Sequence, residues 1–490
     1  MHPLARLDQL YLWHPFTQMR DWLRREPIVL QRGQGAVLTD VHGHDYLDAN
    51  SSIWTNLHGH NHPKINRSIS VQLKSIAHSS ALGFANEPAS LLGEKLVRAA
   101  NPPWLRPRPQ AMKSKTNRLS KVFFSDDGST AMEVALKLAY ESARRAGNRK
   151  PRFLSLDGAY HGDTAGAVSL GHIDLFHKAF SGLLFKTDKA FSPYCYRCPF
   201  NRSRPQRADA RDYRQCQWEC LDKLESSFTR QAKKGVPYAG FVFEPLMQGA
   251  AGMIAQPQGW LSKATAIARG QGTRLIADEV MTGFGRTGSF GTNAAPGLFA
   301  CHRENVQPDF LALAKGLTGG YLPMAATLTT QPVFDAFLGD YTEFKTFFHG
   351  HSFTGNQLGA AAGLASMALL HEPGTIRARL RMEQQLQVEL QRLWALPNIG
   401  DIRQVGLVAG IELVKDSRTR ETFDLKLRAG IRVCDAMAKR GVLTRPIGNV
   451  IPLIPPYCTT PDQLATMVQE LGKAVAEVFR TPVSKRAISS

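Results

Sequence analysis

The sequence predicts an α/β fold with a large, doubly wound, mainly parallel sheet, joined to a smaller α+β domain built from both chain ends. Three observations carry this. Short apolar runs near 122, 153, 241, 275 and 311 are too short for helices, and each ends in a polar or glycine-rich loop. Helical patterns alternate with these runs, as βαβ units require. Beyond position 357 the pattern changes to amphipathic helices and short strands such as 406–413. The expected division is an arm and part of the small domain at 1–70, a large domain at 71–356 with a cysteine-containing insertion at 191–235, and a C-terminal small domain at 357–490.

A chain of 490 residues, 43% hydrophobic and 21% charged, can bury a large core. Its net charge of +19 raises the question of a polyanionic partner. Much of the excess, however, falls in two stretches that look like solvated surface loops. Arg106, Arg108, Lys113, Lys115, Arg118 and Lys121 form one, and Arg197, Arg202, Arg204, Arg207, Arg211 and Arg214 the other. No nucleic-acid partner is therefore expected. No apolar run is long enough to cross a membrane and the N-terminus lacks a signal-peptide core, so a cytoplasmic protein is expected. Seven cysteines do not form an even disulfide framework.

Taken in order, the chain begins with an aromatic arm, Trp13-His14-Pro15-Phe16-Thr17-Gln18-Met19. A hairpin follows, with strands at 36–40 and 45–48 around His42-Gly43-His44. The histidines of the run 58–63 match no standard ligand spacing and read as hydrogen-bonding loop residues. Helices are expected over 63–77 and 88–100. The strand 122–124, the turn from Ser125 to Thr130 and the helix 131–145 make a phosphate-binding layout. Gly128 permits close backbone approach, Ser129 and Thr130 offer hydroxyls, and the helix start offers unpaired N–H groups. After the strand 153–156, Tyr160 stands beside glycines, where an aromatic ring can stack on a flat cofactor. Cys195, Cys198, Cys216 and Cys220 read C-x2-C, seventeen residues, C-x3-C, a candidate structural zinc site with reduced thiols as the other reading.

Three strands then deliver ionisable residues. Strand 241–243 ends in Glu244, strand 273–277 in Asp278-Glu279, and strand 309–314 in Lys315. Open α/β sheets bind ligands at these carboxyl ends. An amine and a carboxylate there suit pyridoxal 5'-phosphate, since a lysine forms the Schiff base and a carboxylate keeps the pyridine nitrogen protonated as an electron sink. A helix is expected over 357–370.

Asp278-Glu279-Val280, the glycine loop Gly283-Phe284-Gly285-Arg286-Thr287-Gly288 and Lys315-Gly316 resemble the class III aminotransferases of pyridoxal-phosphate fold type I, over almost the whole chain. Within that class the sequence is similar to the 7,8-diaminopelargonate-forming enzymes of biotin synthesis. The segments that carry this are 13–19, Ser51-Ser52 with Trp54 and His58-Gly59, 160–164, 350–356, Arg445-Pro446 and Pro455-Pro456.

The resemblance implies a ping-pong transaminase acting on 8-amino-7-oxononanoate, with Lys315 on the cofactor, Asp278 on the pyridinium and Glu244 near it. Gly128 and Ser129 would hold the phosphate, helped by His351 and Ser352 across a homodimer interface. Arg445 would grip the substrate carboxylate. Phe16, Ile53, Trp54 and Tyr160 would wall the alkyl chain, with Tyr160 also counted as catalytic, and Arg286 and Gly350 would complete the substrate site. The family's alternative outcome is a class III aminotransferase for ornithine, a diamine or an omega-amino acid. The amino donor is expected to be S-adenosylmethionine or L-lysine. Phe16, Ile53 before Trp54, His351-Ser352 and Pro452 depart from the usual S-adenosylmethionine pattern and resemble the lysine-using branch.

Overall fold

The computed structural model describes residues 1–106, 118–292 and 296–480; Arg108, Lys113 and Lys115 of the first basic stretch lie outside them. After the helix Pro3–Tyr11 and a short turn of helix at Met19–Trp22, the chain forms an antiparallel meander of β1 (Leu30–Gln34), β2 (Val37–Asp40) and β3 (Asp45–Asp48). The large sheet begins with β4 (Leu119–Ser125), β5 (Phe153–Leu156), β6 (Asp188–Ala190) and β7 (Gly240–Phe243). A short ribbon, β8 (Met247–Gln248) and β9 (Ile254–Ala255), interrupts it before β10 (Leu275–Asp278), β11 (Phe310–Leu313) and β12 (Ala325–Thr330). The order across the sheet is β4-β12-β11-β10-β7-β5-β6.

Alternation explains why both faces are buried. Val242, Ile276, Phe310 and Ala312 point to the side covered by the helix Gly128–Arg145. Phe241, Phe243, Leu275, Ala277, Leu311 and Leu313 point to the other side, with Trp260, Leu261 and Ala264 of the helix Trp260–Gly270. Strands buried on both faces read as continuous apolar runs, the signature of a parallel sheet. β12 is the exception, antiparallel to both β11 and β4. Its Ala-Thr sequence carries no apolar run, and sequence reading missed it. It is buried because Thr327 Oγ1 donates to the Ala131 carbonyl at 2.7 Å and Thr329 Oγ1 to the Asp309 carbonyl at 3.1 Å, so its hydroxyls enter the core already paired.

The C-terminal part contributes β13 (Ile399–Val405), β14 (Val408–Asp416), β15 (Glu421–Thr422), β16 (Val442–Leu443) and β17 (Val450–Leu453). β13, β14 and β17 form an antiparallel sheet, while β16 runs parallel to β3 at the other end of the chain. The two chain ends thus share one sheet.

The second basic stretch is not a solvated loop. Arg197 binds Glu412 at 2.6 Å, Arg207 donates to the carbonyls of Trp394, Leu396 and Ile399, and Arg211 to the Gln404 carbonyl at 2.7 Å. These three arginines dock the insertion onto β13, β14 and the turn before them through charge-assisted hydrogen bonds, while Arg202 and Arg204 are exposed. Nor do the four clustered cysteines form a metal site. All four are free thiols, and among the described residues no group of three or more His, Cys, Asp or Glu side chains is arranged to hold a metal ion. Burial pushes the Cys195 thiol up to about 12 and that of Cys220 up to about 11, as free thiols. No helix among the described residues is long and apolar enough to cross a membrane.

Candidate active site

The carboxyl ends of β5, β7, β10 and β11 open onto a cavity of about 410 Å³ lined by Trp54, Gly128, Ser129, Tyr160, His161, Glu244, Asp278 and Lys315, among others. The register of the sheet brings the key pair together, with Asp278 at the end of β10 opposite Ala312 of β11. Lys315 follows β11 with a left-handed φ of 45°, which turns its chain out of the strand direction. Burial lowers its amine to about 8, against the opposing pull of Asp278 and Glu244. A neutral amine is thus accessible near physiological pH.

Asp278 is held from two sides. His161 Nδ1 lies 2.8 Å from Asp278 Oδ2, and the Val280 N–H donates to Oδ1 at 3.0 Å. The His161 side chain is fully buried, so this contact fixes the carboxylate rather than exposing it to water. Glu244 accepts from the Gly249 N–H at 2.7 Å, and burial raises its carboxyl to about 7. Tyr160 OH donates to Asp163 Oδ2 at 2.7 Å, while Ser129 Oγ accepts from the Asp163 N–H at 3.1 Å.

The predicted phosphate cradle is present in outline. The helix starts at Gly128, three residues earlier than its apolar pattern, because Asp127 and Thr130 form a reciprocal capping box. Only glycine fits at 128, since a Cβ there would stand 2.8 Å from Val280 Cγ1. The amine, the deep carboxylate and the glycine-headed helix fit a phosphorylated aldehyde of pyridoxal type by their donor chemistry.

Other predicted residues stand apart. Arg286 is buried outside the cavity lining, with Nη1 donating to the Pro455 carbonyl at 2.7 Å and Nη2 to that of Asn56 at 3.0 Å. Arg445 is exposed and donates to the Phe16 carbonyl, so these two predicted substrate residues meet each other. Phe16 packs edge-on against Phe176 at 5.2 Å, and Phe176 against Tyr160 at 6.4 Å. His351 lies 3.0 Å from Asp126, and Ser352 is exposed. Gly350 lies in the same loop, away from the cavity lining. Sequence reading gave no role to His161, Asp163 or Phe176. His161 and Asp163 stood inside a quoted motif, but Phe176 had no local signal at all.

Trp54 sits with its ring 4.6 Å from Lys315 Nζ. It is carried by an unusual backbone, in which Ser51, Ser52, Ile53 and Trp54 have φ of 44°, 47°, 62° and 68°. Four consecutive left-handed residues, none of them glycine, cost ~4–8 kcal/mol at roughly 1–2 kcal/mol each. Such strain persists only where surrounding contacts over-determine it.

A cavity with an amine and a carboxylate at adjacent strand ends defines a group-transfer enzyme of the pyridoxal type, and the comparisons agree on the family. The family described as Aminotransferase class-III matches residues 19–475, and the chain belongs to it. It is 44% identical over 472 residues to a Geobacter sulfurreducens protein named adenosylmethionine-8-amino-7-oxononanoate aminotransferase, covering 96% of this chain and 97% of that one. An Aquifex aeolicus protein of the same name is 40% identical over 476 residues, 97% of each chain. Among solved structures, the enzyme of that name from Methanocaldococcus jannaschii superposes with a TM-score of 0.84 at 37% identity, covering 97% of this chain and 98% of that one. A PMP-bound aminotransferase from Vibrio fluvialis gives 0.84 at 26% identity, with 98% and 99% covered.

Proposed function

We propose that this chain is a pyridoxal 5'-phosphate-dependent transaminase that converts 8-amino-7-oxononanoate to 7,8-diaminononanoate, working by alternating half-reactions. The observation that carries the reading is the pairing of Lys315 and Asp278 at the ends of adjacent parallel strands facing one cavity. The names of the full-length relatives support the substrate.

Lys315 Nζ takes the proton from the carbon bearing the donor's amine and later returns one at C7 of the acceptor. Asp278, oriented by His161, keeps the ring nitrogen protonated, and Glu244 lies behind them. Gly128, Ser129 and the helix start would hold the phosphate, with His351 and with Ser352 of the partner subunit in a homodimer. Tyr160 would stack on the ring, and its hydroxyl donates to Asp163. The cofactor supplies the electron sink for the carbanion left by proton removal. Phe16, Ile53 and Trp54 wall the substrate, and Arg445 takes its carboxylate with a planar fork. Arg286 serves the site by clamping the carbonyls of Asn56 and Pro455.

The donor we propose is S-adenosylmethionine. The name that the full-length relatives share supports this donor. The isolated half-reaction tests this: S-adenosylmethionine is expected to convert the loaded enzyme to its pyridoxamine form. Conversion by L-lysine and not by S-adenosylmethionine overturns the donor, and conversion by neither overturns the substrate assignment.

Because the Lys315 amine is lowered to about 8 and attacks only when neutral, loading of cofactor-free protein should speed up with pH. The expected gain is about tenfold between pH 7 and pH 9, following the neutral fraction of an amine titrating near 8. Stopped-flow absorbance after adding pyridoxal 5'-phosphate measures it, and a rate still rising steeply above pH 10 contradicts it.

A further inference from the structure

The left-handed turn that carries Trp54 is held by one carboxylate. Asp48, at the end of β3 with its side chain 3% exposed, accepts from the Ser52 N–H at 3.0 Å, from Ser52 Oγ at 2.8 Å and from the Asn50 N–H at 3.3 Å. His60 Nε2 lies 3.0 Å from Asp48 Oδ2. The other ring nitrogen of His60 meets the Asn56 amide at 3.0 Å, so the cluster grips the turn at both ends. Ser51 Oγ donates to the Ile454 carbonyl at 2.6 Å, and Trp54 Nε1 to Asn50 Oδ1 at 2.8 Å. On its far side the turn lies against the loop that follows Lys315, where a Cβ on Gly320 would stand 2.8 Å from the Thr55 carbonyl carbon.

These contacts have one geometric result. A right-handed or extended path through residues 51–54 would carry the Trp54 indole away from Lys315, because the side-chain direction follows the backbone hand. Nothing in the residue types favours the left-handed path, since serine, isoleucine and tryptophan are all penalised there. The conformation is therefore imposed from outside the turn, and its product is an aromatic wall at the reacting amine.

We propose that Asp48, with His60, is a positioning residue of this enzyme: it forces Ser51–Trp54 into the left-handed turn and so sets the Trp54 wall over Lys315. This rests on the reading of the cavity as the transaminase site. Asp48 touches neither substrate nor cofactor, and acts through Trp54 alone. The role differs from general stabilisation in one respect. If Asp48 works by imposing left-handed backbone, then a residue that adopts it freely removes the need for Asp48. Glycine at 52 is that residue, and once Asp48 is gone the Ser52 hydroxyl has no carboxylate left to lose.

The test compares the loaded parent enzyme with Asp48→Ala, Asp48→Asn, Ser52→Gly and the double variant Asp48→Ala with Ser52→Gly. Asp48→Ala is expected to lower kcat/KM for the acceptor about 100-fold, the scale of a misplaced site wall, with the larger part in KM. The double variant is expected to regain at least about tenfold per mole of folded enzyme, with thermal midpoints measured alongside because glycine at a left-handed position also relieves strain on the fold. Two further readouts need no turnover: the near-UV circular dichroism of the aromatic residues, and the φ angles of residues 51–54 in a crystal structure of Asp48→Asn, expected to leave the left-handed region and to return to it in the double variant. If Asp48→Ala does not fold, the isosteric Asp48→Asn replaces it in both backgrounds. Either variant with parental KM and kcat, or a turn that stays left-handed without the carboxylate, overturns the proposal. Should the parent turn over no amine at all, the substrate assignment falls, while the dichroism and the φ angles still decide this one.

Discussion

Lys315→Ala protein is expected to lose transaminase activity by about 10⁴-fold or more, the upper range for removal of a positioned general acid–base. The loss is chemical rather than structural. Lys315 Nζ makes its nearest aromatic contact with Trp54 and stands at the end of β11, whose apolar residues are buried independently of it. The thermal midpoint should therefore change little, and removing a charged amine from a partly buried position relieves desolvation rather than adding to it. Borohydride reduction separates the alternatives. The parent should retain a covalent pyridoxyl group mapped by peptide mass to Lys315, and the variant none. A reduced adduct on another lysine, or activity within about a hundredfold of the parent, would falsify the assignment.

The second large effect is expected at Asp278. Asp278→Asn preserves shape but offers a neutral amide where, on the proposed function, the carboxylate would pair with a protonated ring nitrogen, so kcat should fall about 10³-fold, the scale of a lost electrostatic group in a preorganised site. His161 makes the outcome diagnostic. Its Nδ1 lies 2.8 Å from Asp278 Oδ2, so an intermediate loss, about tenfold, is expected for His161→Gln if the imidazole orients the carboxylate. Thermal melts of both variants control for folding, because each leaves a buried polar neighbour to be re-paired. Equal losses in the two variants would mean that the carboxylate and the histidine act as one unit, and would contradict a merely orienting role for His161.

The residues that the sequence singled out and the structure brings to the cavity share a property: each sits where a regular element ends. β7, β10 and β11 are apolar runs terminated by Glu244, Asp278 and Lys315, and a strand end in a parallel sheet is a predictable address. The capping turn at Asp127 to Thr130 is likewise local, a pattern of four residues. The reading faltered where spacing stood in for geometry. The four cysteines have metal-like intervals, but among the described residues no three of the His, Cys, Asp or Glu side chains are arranged to hold a metal ion. The arginines from 197 to 214 look solvated as a string, yet Arg197 and Arg207 find their acceptors about two hundred residues away, in contacts no local pattern records. Arg286, expected from its motif loop to belong to the substrate site, donates to two distant carbonyls that no local pattern records.

By itself, the sequence determined the strand and helix periodicity, the doubly wound class and the carboxylate and amine at the strand ends, because these depend on contacts within a few residues of the chain, and its motifs carried the resemblance to the aminotransferase family. Only the tertiary structure decided that the two chain ends share a sheet through β3 and β16, that β12 runs antiparallel in the middle of the large one, that His161 backs Asp278, and that Ser51–Trp54 winds left-handed. The physical reason is the same in each case. The partners are far apart in sequence, and where local preference opposes the outcome, as in the turn at 51–54, the balance is set by a carboxylate and carbonyls contributed from elsewhere in the fold.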